Sequence, residues 1–389
     1  MWISPAARSS ADGWITSTYT IRFDTAGREP AALTFAVPEA EADGISDRME
    51  APVMAMVFLA MVLGEDLHVD APLSPKFHYG LRQIQQYFHL WYPGVLKVVQ
   101  IHCGGLEASD EPGRETAACF SGGVDSFYTL WHHREATEPD PGHRLQYGLY
   151  VHGFDIPLED AAFYRETAAS YAHALASEGI GLLHCRTNLR PLLEPHVPWM
   201  TVHGAAIQAA GLFLQKRLGK LLIPSTNRYS LLNPPIGSNP FTDPLAATES
   251  LDFIHHGCEA SRIQKIRTIA EWQPARDHLR VCFQKPGETL NCGRCKKCQK
   301  VMAPLWILGQ LEAFRGFPAE FDPAAMPEAC FADVDLTRFA PEVSYREELS
   351  ALAARWRPEA QSLFPVHRPE EKEEKARSLF ACFRDVFIR

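Results

Sequence analysis

The chain has 389 residues, of which 46% are apolar and 22% charged, and its formal net charge is −9. This length allows two or three domains, and the composition excludes a fibrous or low-complexity chain. The acidic balance disfavours nucleic acid or a membrane surface as a partner, because both repel a negatively charged protein.

The N-terminus predicts a cytoplasmic protein. The first residues lack the basic start and apolar core of a secretory signal. The longest apolar run, over 51–63, is shorter than the ~20 residues that a membrane span needs. Ten cysteines without an export signal are expected to be thiols or metal ligands rather than disulfides.

The N-terminal region reads as mixed α/β. Apolar and polar residues alternate over 19–23 and 33–37, which predicts two half-buried strands. A helix over 47–63 should end at Gly64, which readily adopts the left-handed cap conformation. Another helix should begin after Ser74.

Strands and helices alternate from residue 116 onward. Strands are predicted over 116–120, 145–151, 181–186 and 220–224, and helices over 124–133, 159–178 and 202–218. This alternation implies right-handed crossovers and a parallel sheet with helices on both faces. Ligands of such sheets bind beyond the carboxyl ends of the strands.

The predicted fold class is therefore α/β, with a doubly wound parallel sheet. We predict a mixed N-terminal domain over 1–112, the sheet domain over 113–316 and a helical C-terminal extension over 317–389. Residues 228–260 are rich in Pro, Asn, Ser and Gly and are expected to form a long ordered loop. An apolar stripe over 379–387 predicts a final helix that docks on the core.

One segment carries the signature of phosphate binding, and it reads Ser121-Gly122-Gly123-Val124-Asp125-Ser126. It follows a predicted strand and opens a helix. Glycines let backbone N–H groups approach phosphate oxygens, and the helix start adds unpaired donors and a positive dipole end. Asp125 cannot bind phosphate directly, so it should hold the loop or a Mg²⁺ ion.

This segment resembles the Ser-Gly-Gly-x-Asp-Ser signature of the PP-loop family, whose members cleave ATP to AMP and pyrophosphate. The resemblance implies adenylation of a substrate oxygen, with pyrophosphate leaving from the loop and Mg²⁺ assisting. Arg228, Arg262 and Lys265 are candidate cations for the phosphates.

Four cysteines form a second motif, at Cys282, Cys292, Cys295 and Cys298. Two overlapping Cys-x-x-Cys steps bring three sulfurs to one ion, and Cys282 can supply the fourth. Four thiolates suit structural tetrahedral Zn²⁺. A [4Fe–4S] cluster is the main alternative, because it uses the same spacing.

The two motifs together resemble the 7-cyano-7-deazaguanine synthase family over about residues 115–315. Those enzymes carry a PP-loop and four zinc-binding cysteines in this order, and convert 7-carboxy-7-deazaguanine to a nitrile with ATP and ammonia, on the route to queuosine. The resemblance assigns the loop residues to ATP and the cysteines to zinc.

The acceptor half departs from that family, whose Gly-Tyr-Pro-Asp-Cys-Arg segment is replaced here over 236–245. Its extra terminal regions also make the chain similar to relatives in antiviral defence operons, a resemblance that implies attachment of a deazaguanine to a partner protein amine. A PP-loop tRNA-thiolation enzyme and a non-catalytic nucleotide-binding scaffold are the remaining alternatives.

Several polar residues at predicted loops are candidate substrate contacts. His152 and Asp155 follow the second strand of the sheet domain, and Asn227 follows the fourth. Asp155 and Asp243 could coordinate Mg²⁺ or a ring nitrogen. The other histidines of interest are interpreted as surface or packing residues, since their spacing completes no metal site: His132, His133, His203, His255 and His256.

Overall fold

The computed structural model describes residues 1–111, 113–229, 236–282, 284, 290–327, 330 and 344–366. Its strands are β1 Trp2–Ile3, β2 Ala7–Ala11, β3 Trp14–Arg22, β4 Ala31–Pro38, β5 Leu67–His68, β6 Ile101–His102, β7 Glu115–Cys119, β8 Tyr147–His152, β9 Gly181–Thr187, β10 Leu218–Pro224 and β11 Asp252–His256. Its α-helices are α1 Glu50–Leu63, α2 Pro75–Trp91, α3 Val124–His133, α4 Ala161–Ala176, α5 Leu189–Leu193, α6 Trp199–Phe213, α7 Arg262–Ile269, α8 Gln273–His278, α9 Lys296–Ile307 and α10 Tyr345–Trp356.

All these strands belong to one mostly parallel sheet. Their order is β11-β10-β7-β8-β9-β4-β3-β1-β5-β6, with β2 paired to β3. The five strands β7 to β11 are mutually parallel, as the alternation of strands and helices predicted. The N-terminal region extends this sheet, because β4 pairs antiparallel with β9 at Phe35 and Thr187.

The parallel strands are buried on both faces. Ala117 and Ala118 are neighbours on β7, yet they belong to different hydrophobic cores because successive side chains of a strand point to opposite faces. Helices α1 and α6 cover one face, and helices α3, α4, α7 and α9 cover the other. The structure is thus α/β with helices on both sides of the sheet.

Local signals placed the N-terminal helices correctly. Helix α1 ends at Gly64, whose φ of +72° is the left-handed cap conformation. The Ser74 side chain accepts a hydrogen bond from the Phe77 amide and so begins α2. Among the described residues, no helix combines the length and apolarity needed to cross a bilayer.

The prediction of a loop throughout 228–260 was wrong in one part. Strand β11 lies inside this range and pairs with β10 from Lys220 and Asp252 to Pro224 and His256. A five-residue strand with two histidines carries little periodic signal, so its pairing with β10 decides its conformation. The predicted helix over 379–387 lies outside the described residues.

Candidate functional site

The glycine-rich segment lies at the point where the strand order reverses. From β7 the chain moves outward to β8 and β9, and it then returns to β10 on the other side of β7. In open α/β sheets the two loops at such a reversal flank the crevice that binds ligands, so the loops after β7 and β10 are the expected walls of a site. Residues 120–123 form the first of these loops and lead directly into α3.

Gly122 gives the loop a conformation that other residues would strain. Its φ is +72°, and a Cβ atom there would lie 2.2 Å from the Tyr171 hydroxyl. The same hydroxyl donates to the Ser121 carbonyl at 2.7 Å, and the Arg280 amide donates to the Gly122 carbonyl at 2.8 Å. The protein thus holds the loop by its carbonyl groups.

The backbone N–H groups of the loop make no hydrogen bonds within the described part of the chain. From Ser121 to Ser126, none of the six backbone N–H groups has an acceptor within the described part of the chain. Ser121 is exposed, and Gly123 is partly exposed. A row of unpaired amides at a helix start is a site for an anion such as phosphate.

Two other residues of the segment support the turn rather than face a ligand. The Ser126 side chain is buried, and its hydroxyl donates to the Gly123 carbonyl at 2.9 Å. Val124 is buried in the core below α3. The Ser126 hydroxyl is therefore engaged within the loop.

Asp125 joins the loop to two of the predicted cations. Its carboxylate lies 3.0 Å from Arg262 Nη2 and 3.1 Å from Lys265 Nζ. Lys265 is 1% exposed and also donates to the Ser225 carbonyl at the end of β10. This arrangement fits the first of the two roles expected for Asp125, which is to hold the loop.

Arg280 is a site residue that the sequence analysis missed. It is 5% exposed, and its Nε and Nη2 groups have no hydrogen-bond partner in the described residues. Burial raises the pKa of Tyr171 to about 12, an effect that the neighbouring Arg280 guanidinium reduces. Since no carboxylate of the described residues pairs with this buried cation beside the loop, it is suited to a ligand anion.

Lys297 is a second missed cation. Water reaches its side chain, yet the surrounding protein atoms desolvate the ammonium group and lower its pKa. Asp155, Arg262 and Asp125 all act on its charge, which places Lys297 at the crevice. In the sequence, its position between Cys295 and Cys298 indicates only the cysteine motif.

The candidates after β8 differ in their surroundings. Asp155 is exposed, and its charge acts on Lys297, so it lies at the crevice. His152 is buried, stacks on Tyr164 at 4.2 Å, and has Nε2 2.9 Å from the Pro157 carbonyl. Burial lowers the pKa of His152, so its ring is a packed, neutral part of the loop.

The candidate residues after β10 mostly form ion pairs or hydrogen bonds with other residues of the chain. Arg228 Nη1 lies 2.8 Å from Glu348 of α10, which directs it to the C-terminal helix rather than to the glycine-rich loop. Asn227 is partly buried, and its carbonyl accepts from the Ser225 hydroxyl at 2.6 Å. Asp243 is fully buried, and both of its carboxylate oxygens accept hydrogen bonds from protein groups. These bonds occupy the oxygens that were predicted to coordinate Mg²⁺ or to bond a ring nitrogen.

The four cysteines converge on one point. Their sulfurs all lie within 4.8 Å of one another, with separations of 3.9 Å for Cys282–Cys295, 3.8 Å for Cys292–Cys298 and 3.4 Å for Cys295–Cys298. A tetrahedron of 2.3 Å Zn–S bonds places its sulfurs about 3.8 Å apart. This group could hold a metal such as zinc.

The same spacing disfavours an iron–sulfur cluster. A four-iron cluster carries its cysteines on separate iron ions and so holds the sulfurs farther apart than one ion does. The buried Asn291 organises the group, since its Oδ1 accepts from the Val281 and Cys282 amides at 2.7 and 3.2 Å. Because Arg280 is two residues from Cys282 and Lys297 adjoins Cys298, a metal here would fix both cations beside the loop.

Searches of protein-family models, of curated proteins and of solved structures found no match to this chain.

Proposed function

We propose that the chain binds ATP at the glycine-rich loop and cleaves it to AMP and pyrophosphate while adenylating a carboxylate. The observation that carries this proposal is the row of six amides from Ser121 to Ser126, at the reversal of strand order, for which the described residues supply no acceptor. These donors are preorganised for the charge that develops on the leaving pyrophosphate.

The cations near the glycine-rich loop have different roles in this proposal. Lys265 is bonded to Asp125 and Ser225 and keeps the two crevice loops together. Arg262 and Lys297 are more accessible and can meet phosphate oxygens at the mouth of the crevice. Arg280 is buried, and its Nε and Nη2 groups have no partner among the described residues, so it can fix an anionic group near the loop. Mg²⁺ bound with ATP would neutralise the remaining phosphate charge.

The substrate class rests on the resemblance to 7-cyano-7-deazaguanine synthases. The carboxylate would be that of a 7-deazaguanine acid, and nitrogen would then attack the acyl-adenylate to give an amide or nitrile. Zn²⁺ in the cysteine group would be structural, because four thiolates leave no coordination position for a substrate.

The test is to incubate the full chain with ATP, Mg²⁺, 7-carboxy-7-deazaguanine and ammonium, and to follow nucleotides and products by mass spectrometry. AMP, pyrophosphate and nitrile are expected if ammonia is the nucleophile. AMP without nitrile would favour the amine of a partner protein. Release of ADP, or no nucleotide turnover with any acid, would contradict the proposal.

A further inference from the structure

A buried carboxylate fixes a histidine at the carboxyl edge of the sheet. Asp243 is fully buried and accepts from Gln208 Nε2 at 2.9 Å and from the Ser238 hydroxyl at 2.7 Å. It lies 2.7 Å from His255 Nδ1. These contacts leave Asp243 no freedom to rotate, so they orient the imidazole ring of His255.

The other nitrogen of this ring is unused. The His255 side chain is 3% exposed, and its Nε2 has no hydrogen-bond partner of normal geometry in the described residues. Burial acts to lower the pKa of His255, but Asp243 and Cys258 together raise it to about 9. Because Cys258 acts on the charge of this ring, its thiol lies close to His255.

Cys258 has the surroundings of a reactive thiol. It is partly exposed, and its sulfur lies 3.3 Å from the Ser225 hydroxyl. Burial acts to raise the pKa of Cys258, but His255, Ser225 and Lys265 outweigh it and lower the pKa. A thiolate beside a protonated histidine is the usual form of a nucleophilic cysteine.

Position links this thiol to the phosphate loop. Cys258 follows β11 by two residues, and Ser225 follows β10 directly. Lys265 donates to the Ser225 carbonyl and to Asp125 of the loop. The thiol and the unpartnered amides therefore belong to one edge of the sheet and share a buried lysine.

We propose that Cys258 is a catalytic nucleophile that takes the acyl group from the adenylate as a thioester, with His255 as its base and Asp243 as the residue that positions His255. This role rests on the adenylation proposed above. The Asp243–His255–Cys258 arrangement is a Cys-His-Asp triad, recognised by geometry and roles rather than by sequence order.

The chemistry balances without a further co-reactant. With the proton of the Cys258 thiol already held by His255, the sulfur forms a bond to the acyl carbon while the bond from that carbon to the AMP phosphate oxygen breaks. AMP leaves with that electron pair. An amine then attacks the thioester, the C–S bond breaks, the thiolate returns and the amine proton passes to solvent.

Labelling tests the thiol without any substrate. With iodoacetamide at pH 7, peptide mapping should show Cys258 alkylated about tenfold faster than Cys103. His255→Gln should bring the Cys258 rate down to that of Cys103, whereas Cys103→Ser should leave it unchanged. Equal rates for the two cysteines in the wild-type chain would overturn the inference, whatever the variants show.

The acyl-carrier role is tested with ATP, Mg²⁺ and 7-carboxy-7-deazaguanine. After an acid quench, intact mass should show a gain equal to the acid minus water, mapped to Cys258 and removed by hydroxylamine. ATP–pyrophosphate exchange in the same wild-type sample separates the two proposals. ATP–pyrophosphate exchange without an adduct would contradict the thioester and support adenylation. No exchange would contradict both adenylation and the acyl-carrier role of Cys258. In that case the reactivity of the Cys258 thiol is judged by the labelling experiment alone.

Discussion

The Lys265 ammonium group lies 3.1 Å from the Asp125 carboxylate and also donates to the Ser225 carbonyl, with only 1% of the lysine side chain exposed. Asp125 belongs to the loop after β7, and Ser225 to the loop after β10. One buried lysine therefore joins the two walls of the crevice.

We expect Lys265→Met to lower the free energy of unfolding by about 3 kcal/mol, because it leaves a partly buried carboxylate without one of its two cations. The matched control is Lys76→Met. Lys76 lies 2.7 Å from Asp252, but these side chains are 47% and 57% exposed, so the loss should stay below about 1 kcal/mol. Denaturant unfolding measures both, and equal losses would show that burial adds nothing to the Lys265 contact.

Gly122→Ala should abolish nucleotide turnover. The new Cβ would lie 2.2 Å from the Tyr171 hydroxyl, so the loop must move and its amides lose their alignment. We expect AMP formation to fall at least about 100-fold. Gly179→Ala is the control, because Gly179 has the same φ of +72° with nothing within 4 Å. It should lower stability by about 1 kcal/mol and leave turnover intact. Turnover by Gly122→Ala close to that of Gly179→Ala would argue against the loop as the phosphate site.

Arg280→Met should separate function from stability. The substitution removes a buried cation whose Nε and Nη2 have no partner in the described part of the chain, so the free energy of unfolding should stay the same or rise. If Arg280 meets a ligand anion, AMP formation should fall about 100-fold. Arg315→Met, at a side chain 78% exposed, should change neither. A large loss of stability in Arg280→Met would mark the arginine as structural.

One zinc ion per chain is expected in the purified protein. Cys298→Ser should lose that zinc and several kcal/mol of stability, because metal binding is coupled to folding at such sites. Cys185→Ser is the control, since Cys185 is equally buried but lies outside the group. Elemental analysis with thermal unfolding measures both effects. Iron with absorption near 400 nm, or zinc retained in Cys298→Ser, would contradict the assignment.

Stability should fall as pH rises toward 9. Asp243 and Cys258 raise the pKa of His255 to about 9 against burial, so the protonated ring contributes stability below its unfolded pKa of about 6.5 and loses it as pH passes 9. We expect a difference on the order of 3 kcal/mol between wild type and His255→Gln at pH 6 that shrinks by pH 10. Urea unfolding of both proteins over this range measures it. A difference that does not change with pH would mean that His255 is neutral throughout.

The sequence by itself determined the features that depend on near neighbours in the chain. The alternation of strands and helices from residue 116, the left-handed cap at Gly64 and the glycine-rich turn could all be recognised, because period, capping and backbone freedom act over a few residues. The convergence of the four cysteines followed from spacing for the same reason.

Only the tertiary structure decided the features that depend on distant parts of the chain. Asp125 meets Arg262 and Lys265 across 137 and 140 residues, and no local pattern distinguishes those cations from surface ones. Arg280 contacts the glycine-rich loop because the chain returns to it just before Cys282. Residues 252–256 form β11 because they pair with the edge of β10. The sequence predicted His255 as a surface or packing residue. The fold instead buries it against Asp243 and near Cys258, because burial and pairing belong to the assembled structure.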